Sequence, residues 1–153
     1  MTDQIRPIEG VYEEHGARLW RALLGYAGDP HVASDAMAEA FAQALAHESE
    51  IRSPADWVWT ASFRIARGML ADPVRAPVPD RDQVVEMPES VRDLVWALDQ
   101  LPERQRFCVV LHDYGDRPVG EVAQALGISS GTVYVHLSQG RRRLRSLLED
   151  HDA

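Results

Sequence analysis

The sequence predicts an all-α fold, and three observations carry that reading. Apolar residues recur at three- and four-residue intervals, alternation by two is nearly absent, and prolines stand between periodic segments rather than within them. Three helices are predicted in the N-terminal part, over 9–28, 31–47 and 53–70. Gly28-Asp29-Pro30 and the polar stretch 48–56 separate them. Asp29 before Pro30, and Ser53 before Pro54 with Asp56 close behind, read as helix starts. A short polar side chain there can accept an orphan backbone N–H, and proline fits the first turn. From Asp72 to about Glu89 the periodicity fails, because Pro73, Pro77, Pro79 and Pro88 interrupt a mostly acidic stretch. Four further helices are predicted over 90–101, 102–114, 117–126 and 129–150. The expected organisation is two small helical domains, 1–75 and 91–153, joined by a Pro-rich acidic linker at 76–90. The second is a helix-turn-helix domain without a wing.

With 153 residues the chain can build two small cores. Its net charge of -8 comes from 16 basic and 24 acidic residues, and every basic residue is arginine. Such a chain as a whole repels nucleic acid and membranes, so any anion binding must be local. The charge is uneven: 7 arginines face 11 acids in 1–75, 1 faces 4 in 76–90, and 8 face 9 in 91–153. Four of those last eight fall between Arg141 and Arg145.

Several chemistries are set aside. Cys108 is the single cysteine and is expected as a buried apolar side chain, so no disulfide forms within the chain. The first residues lack a charged-then-apolar signal pattern, and no run of ~18 apolar residues could span a bilayer. A cytoplasmic protein without a membrane partner is therefore expected. No histidine or cysteine cluster has ligand spacing, and no glycine-rich loop ends in lysine. Asp35 and Glu39, one helical turn apart, lack the companions that paired acid–base catalysis would need.

A more specific signal lies in 119–137, where Ala123 is followed four positions on by Gly127 and ten on by Val133. That is helix-turn-helix spacing: a small residue lets two helices approach, glycine takes the turn conformation, and a branched apolar residue anchors the second helix. Ser129 is placed to cap that second helix. Steps of ~100° per residue put Val133, Leu137, Leu144 and Leu147 on the core side. The opposite side carries Gly131, Val135, Ser138, Gln139, Arg142 and Ser146, flanked by Thr132, Arg143 and Arg145. A major groove would meet these. Gln139 can read adenine, Ser138 a base or phosphate, Val135 a thymine methyl, and Arg142 guanine or phosphate. With Arg141, Arg143 and Arg145, Arg142 also makes a compact positive patch for phosphates, the bland alternative being complement to the helix C-terminus.

From Val91 onward the chain resembles region 4 of the extracytoplasmic-function sigma factors of the sigma-70 family. Leu101-Pro102 with Arg104-Gln105-Arg106, the helix-turn-helix, and Gly131-Thr132-Val133 followed by the arginines carry the resemblance. "DAMAEAFAQAL" resembles the region 2 helix that docks on polymerase, with Asp35, Glu39, Phe41 and Gln43 in the matching positions. "SPADWVWTASFRIARGML" resembles the next helix of region 2. The resemblance implies a dissociable subunit of bacterial RNA polymerase, with core RNA polymerase and promoter DNA as partners, an anti-sigma factor as a candidate partner, and no catalytic residues, metal or cofactor. It implies minus-35 contacts by Ser129, Gly131, Thr132, Tyr134, Val135, His136, Ser138, Gln139, Arg141, Arg142, Arg143 and Arg145. Minus-10 contacts are implied for Trp59, Arg64 and Arg67. The family often has basic residues where this chain has Tyr134, His136 and Gln139, so weaker phosphate contact is expected here.

The tryptophans divide by helical face. Trp57 shares a face with Ala61 and Ile65 and is expected in the core, whereas Trp59 lies off that face and stays open between packing and base stacking. Trp20 and Trp96 are expected as packing residues. Two rival readings remain on the residues alone: a stand-alone helix-turn-helix transcription regulator, and a degenerate sigma-like protein that works through protein contacts.

Overall fold

A computed structural model describes residues 7–72, 74 and 87–152 of the chain. Those residues form helices and turns without strands, as expected. In chain order they are α1 (Pro7–Ala27), α2 (Pro30–Ala46), α3 (Pro54–Ala71), α4 (Glu89–Asp99), α5 (Glu103–Cys108), α6 (Val119–Leu126) and α7 (Ser130–Asp152). A 3-10 turn at Glu48–Glu50 follows α2, and α5 runs on into a π-helical stretch, Val109–Tyr114. Most of the linker expected at 76–90 lies outside the described residues. Its last positions differ from expectation, since α4 already begins at Glu89.

Local chemistry explains the helix ends. The backbone N–H of His31 donates to Asp29 Oδ1 at 2.9 Å, so Asp29 caps α2 as its position predicts. Ser53 does not cap α3. Its hydroxyl donates instead to Asp56 Oδ2 at 2.8 Å, a carboxylate being the stronger acceptor within reach.

The helices before and after the linker share one continuous apolar core. Phe107 of α5 sits edge-on between Tyr26 of α1 and Phe63 of α3, with ring centroids 5.3 Å and 5.7 Å away. Tyr26 and Phe63 are themselves 5.6 Å apart, and Trp59 stacks on Phe63 at 6.4 Å. Edge-to-face geometry sets the positive ring edge against the negative face, adding to the area buried. Next to Phe107, Cys108 is wholly buried as expected, and burial pushes its thiol up to about 11.

Two tryptophan assignments need correction. Trp57 is partly buried and packs against the core as expected, but Trp59, implied as a minus-10 contact, is only 1% exposed. The stripe of α3 predicted its packing on α1 and α2, but the C-terminal helices cover the side that carries Trp59. Trp96 is 43% exposed and lies over the His151 ring, 4.7 Å between centroids, rather than in the core. Trp20 does pack, and its Nε1 donates to Ser34 Oγ at 3.0 Å to tie α1 to α2. Among the described residues, no helix is long and apolar enough to cross a membrane, and no group of His, Cys, Asp or Glu could hold a metal.

Because Phe107 serves both halves, Phe107→Ala should lower the stability of the whole chain by roughly 3–5 kcal/mol. Urea unfolding followed by circular dichroism should keep a single transition; loss of the C-terminal helices alone would contradict a shared core.

Candidate nucleic-acid interface

The turn between α6 and α7 is built as its spacing predicts. Gly127 has φ +69°, where a Cβ would be strained, and the N–H groups of Gly127 and Ile128 donate back to Gln124 O at 3.3 Å and Ala123 O at 3.0 Å. Ala123 and Val133 are buried where the two helices meet. Ser129 Oγ accepts the N–H of Thr132 at 3.1 Å and lies 2.8 Å from Thr132 Oγ1, which caps α7. Leu137 is buried and Leu144 and Leu147 pack against the core, so the outer side of α7 is the expected one.

That side is exposed at Ser129, Gly131, Tyr134, Val135, Ser138, Gln139, Arg142, Arg143 and Arg145. Tyr134 and Val135 are 61% and 52% exposed, an uncommon outlay of apolar surface on two adjacent helical residues. Three of the expected minus-35 residues stand differently. Both ring nitrogens of His136 are buried, so the ring faces the protein rather than a groove. Gln139 Oε1 accepts from Gln105 Nε2 at 3.3 Å, and Arg141 binds Asp113 through Nε at 2.8 Å and Nη2 at 2.5 Å. Hydrogen bonding to Asp113 raises the Arg141 pKa further. Among the described residues, Arg142, Arg143 and Arg145 have no ion-pair partner.

The expected minus-10 residues are held by the C-terminal half. Trp59 lies beneath Arg117, whose guanidinium carbon is 5.8 Å from the ring centroid, and Arg117 pairs with Asp56 at the start of α3. The loop at Gly115 closes so tightly over Trp59 that an added Cβ would stand 3.0 Å from its ring and 2.6 Å from Leu111 O. Arg64 donates to Gln124 O at 3.2 Å. Arg67 donates through Nε to Glu103 Oε1 at 2.8 Å and through Nη2 to Oε2 at 3.3 Å, and the Tyr26 hydroxyl donates to Oε1 at 2.6 Å. Arg18 of α1 completes the set, bonding Asp116 at 3.0 Å and the carbonyl of Tyr114.

Opposing effects act on Glu103. Burial raises its pKa, but the hydrogen bonds from Arg67 and Tyr26 outweigh burial and hold it below the usual glutamate range. Tyr26 is shifted well upward by its own burial and then by the bond to Glu103, so its phenol stays protonated.

On α2 the side chains of Asp35, Glu39 and Gln43 are exposed along one face, and Gln43 Nε2 donates to Glu39 Oε1 at 2.9 Å. Phe41, expected on that docking face, is 9% exposed and meets Tyr12 edge-on at 5.4 Å. It supports α2 from beneath and leaves Tyr12 as the exposed aromatic on that side. An open apolar groove runs between α1, α4 and α7, lined by Val91, Leu94, Leu98, Val110 and Leu144 among others.

Residues 92–144 match the family model described as sigma-70, region 4. Along 94% of its length the chain is 29% identical to the ECF RNA polymerase sigma factor SigL of Mycobacterium tuberculosis, covering 89% of that protein. With the RNA polymerase sigma factor SigV of Bacillus subtilis it shares 25% over 91% of its length and 89% of SigV. Among solved structures, the sigma factor RpoE in complex with the anti-sigma factor NepR from Bartonella quintana superposes with a TM-score of 0.71 at 18% identity, over 92% of this chain and 98% of that one. CnrH in complex with the cytosolic domain of CnrY gives 0.72 at 18%, over 95% and 89%. The fold is the one seen in those two structures, and the helix-turn-helix lies within the segment that matches region 4. Over nearly its whole length the chain is thus similar to ECF RNA polymerase sigma factors, with residues 92–144 carrying the region 4 match.

Sequence reasoning missed Tyr26, Asp56, Glu103, Gly115 and Arg117. Each lies far along the chain from its partner, 36 residues for Arg67–Glu103 and 61 for Asp56–Arg117, so no local spacing marks them.

The lowered pKa of Glu103 sets the direction of a pH effect. A carboxylate held below its unfolded value, about 4.3, stabilises the fold above that pH and loses this contribution as pH falls through the folded value. Wild type should therefore exceed Glu103→Gln in stability by about 1 kcal/mol at pH 6, with the gap narrowing as pH falls below the unfolded value and through the folded one. Urea midpoints measured from pH 3 to 6 check this; a constant gap would contradict it.

Proposed function

We infer that this chain is the promoter-recognising subunit of a bacterial RNA polymerase, reading the minus-35 element with α7 and engaging the minus-10 element with α3. The observation that carries the reading is the capped helix-turn-helix, whose second helix turns outward an exposed polar face and three arginines without an ion-pair partner among the described residues, within a segment matching sigma-70 region 4. Ser129, Gly131, Thr132, Tyr134, Val135, Ser138, Arg142, Arg143 and Arg145 are the proposed minus-35 surface. Arg141 joins it after exchanging Asp113 for a phosphate, and Gln139 after releasing Gln105. Trp59, Arg64 and Arg67 are the proposed minus-10 surface.

The exposed row Asp35, Glu39 and Gln43 on α2 is the proposed polymerase-docking face, with Phe41 holding the helix in place. Residues 1–75 and 91–153 are the two working units, consistent with promoter contacts falling on both sides of 76–90. The work lies in binding and strand separation rather than catalysis, and its place is the cytoplasm, where polymerase and DNA meet. An anti-sigma partner fits the complexes seen for RpoE and CnrH, and the apolar groove between α1, α4 and α7 suits a partner helix.

A pull-down of purified bacterial core polymerase tests the docking face. Capture by wild type, reduced at least about tenfold in Asp35→Arg/Glu39→Arg, is expected, because reversing charge at a contact costs more than removing it. No capture by a folded wild type would refute the polymerase reading. On promoter DNA in the presence of polymerase, Arg142→Ala should weaken binding and reduce the salt slope by about 1. An unchanged slope would remove Arg142 from the phosphate contacts.

A further inference from the structure

The C-terminal ends of α1, α3 and α4 meet α5 and α6 around a cavity of about 810 Å³. Three of its lining residues are arginines, Arg64 and Arg67 from α3 and Arg106 from α5. Two carboxylates, Glu103 and Asp99, stand against the three guanidinia. One positive charge is therefore left in surplus, within a chain whose net charge is -8. Leu70, Ala71 and Ala125 supply a short apolar wall, and Arg64, Gly68 and Leu70 are exposed, so the cavity opens to solvent. We propose that this cavity binds a small phosphate monoester, its phosphoryl oxygens accepting from Arg64, Arg67 and Arg106 and its organic part lying along Leu70, Ala71 and Ala125. The site stands independently of the promoter-reading role, although Arg64 and Arg67 are named for both.

The donors for such a ligand are in place and only partly spent. A guanidinium carries five N–H groups in a planar fork. Arg67 commits Nε and Nη2 to Glu103, and Arg64 commits Nη2 to Gln124 O. Arg106 gives Nη1 to Leu101 O at 3.3 Å, and its Nε is buried without an acceptor. An anion that draws Arg106 towards itself makes a bond that the fold leaves unmade. Glu103 orients this array: it fixes Arg67 and accepts the Tyr26 hydroxyl at 2.6 Å, while the Arg106 guanidinium carbon lies 5.5 Å over the Tyr26 ring.

The number of donors selects the anion. A phosphate monoester presents three terminal oxygens, one for each guanidinium, and carries nearly two negative charges at neutral pH. A carboxylate or a phosphodiester presents two oxygens and one charge, and leaves an arginine unused. Asp99 can accept from a hydroxyl of the organic part, which a sugar phosphate and a nucleotide both provide, and the volume suits a ligand of that size. Tyr26, Arg64 and Arg67 precede the linker while Asp99, Glu103 and Arg106 follow it. A ligand held by both groups stabilises the whole chain by mass action.

Isothermal titration calorimetry and thermal unfolding of the full chain test this, with inorganic phosphate, glucose 6-phosphate, adenosine 5′-monophosphate and the single strand dT20 as probes. Wild type is compared with Arg106→Gln, Gly68→Leu and Arg104→Gln. An added Cβ at Gly68 meets nothing within 4 Å, so leucine there takes up cavity space while leaving every charge in place. Arg104, exposed on α5 and outside the cavity, controls for diffuse attraction. The expected result is that glucose 6-phosphate or adenosine 5′-monophosphate binds more tightly than inorganic phosphate and raises Tm. Binding should weaken about tenfold in Arg106→Gln and in Gly68→Leu, and less than about twofold in Arg104→Gln. Should Arg106→Gln fail to fold, Gly68→Leu carries the test. No binding of either organic monoester to folded wild type overturns the proposal, as does binding that Gly68→Leu leaves unchanged or Arg104→Gln weakens equally. Tighter binding of dT20 than of both monoesters, lost in Arg106→Gln, gives these arginines to the DNA backbone and overturns the monoester.

Discussion

Phe107 reaches from α5 into the space between Tyr26 and Phe63, and most of what distinguishes this chain depends on that insertion. It joins residues on both sides of the linker into one core. It also sets α5 close enough to α3 for Glu103 to reach Arg67, and carries the loop beyond Tyr114 to where Gly115 and Arg117 meet Trp59. Aromatic packing supplies the adhesion, and charged hydrogen bonds then select one alignment of the two halves. The division suits each interaction: apolar burial is strong but tolerant of direction, whereas a forked arginine–carboxylate pair is directional and modest once partly exposed to water.

The same division suits an acidic chain to the DNA-reading role proposed for it. Of its arginines, those nearest the centre are taken up by acids or carbonyls of the opposite half, as with Arg18, Arg64, Arg67 and Arg117. Positive charge without a partner among the described residues is concentrated at Arg142, Arg143 and Arg145 on α7. A net charge of -8 then opposes indiscriminate binding, while one short cationic stretch is left to act over the few ångströms at which phosphates are met. The exposed pair Tyr134 and Val135 sits beside it, where apolar contact with a groove can offset the low charge of this helix.

Much of the fold was legible because its signals are local. The caps at Asp29 and Ser129, the left-handed Gly127 and the stripe Val133, Leu137, Leu144 and Leu147 each depend on residues within a few turns of one another. Legibility ended where a surface depends on a neighbour from elsewhere in the chain. Periodicity placed Trp57 against the core, where it packs, but missed the burial of Trp59, because it described α3 against its own domain and a second layer of packing covers the other side. Phe41 and His136 failed for a related reason, since a residue on the right helix at the right position can still turn its side chain inward.

The amino-acid sequence by itself determined the helices, the geometry of the helix-turn-helix and the resemblance to the sigma-70 family, all of which follow from spacing within short windows or from motifs read in order. Only the tertiary structure decided which of the side chains proposed to meet DNA face solvent and which are held. That outcome rests on pairs such as Asp56–Arg117, Arg67–Glu103 and Arg64–Gln124, brought together from distant parts of the chain when Phe107 is buried, and no short-range pattern encodes such a meeting.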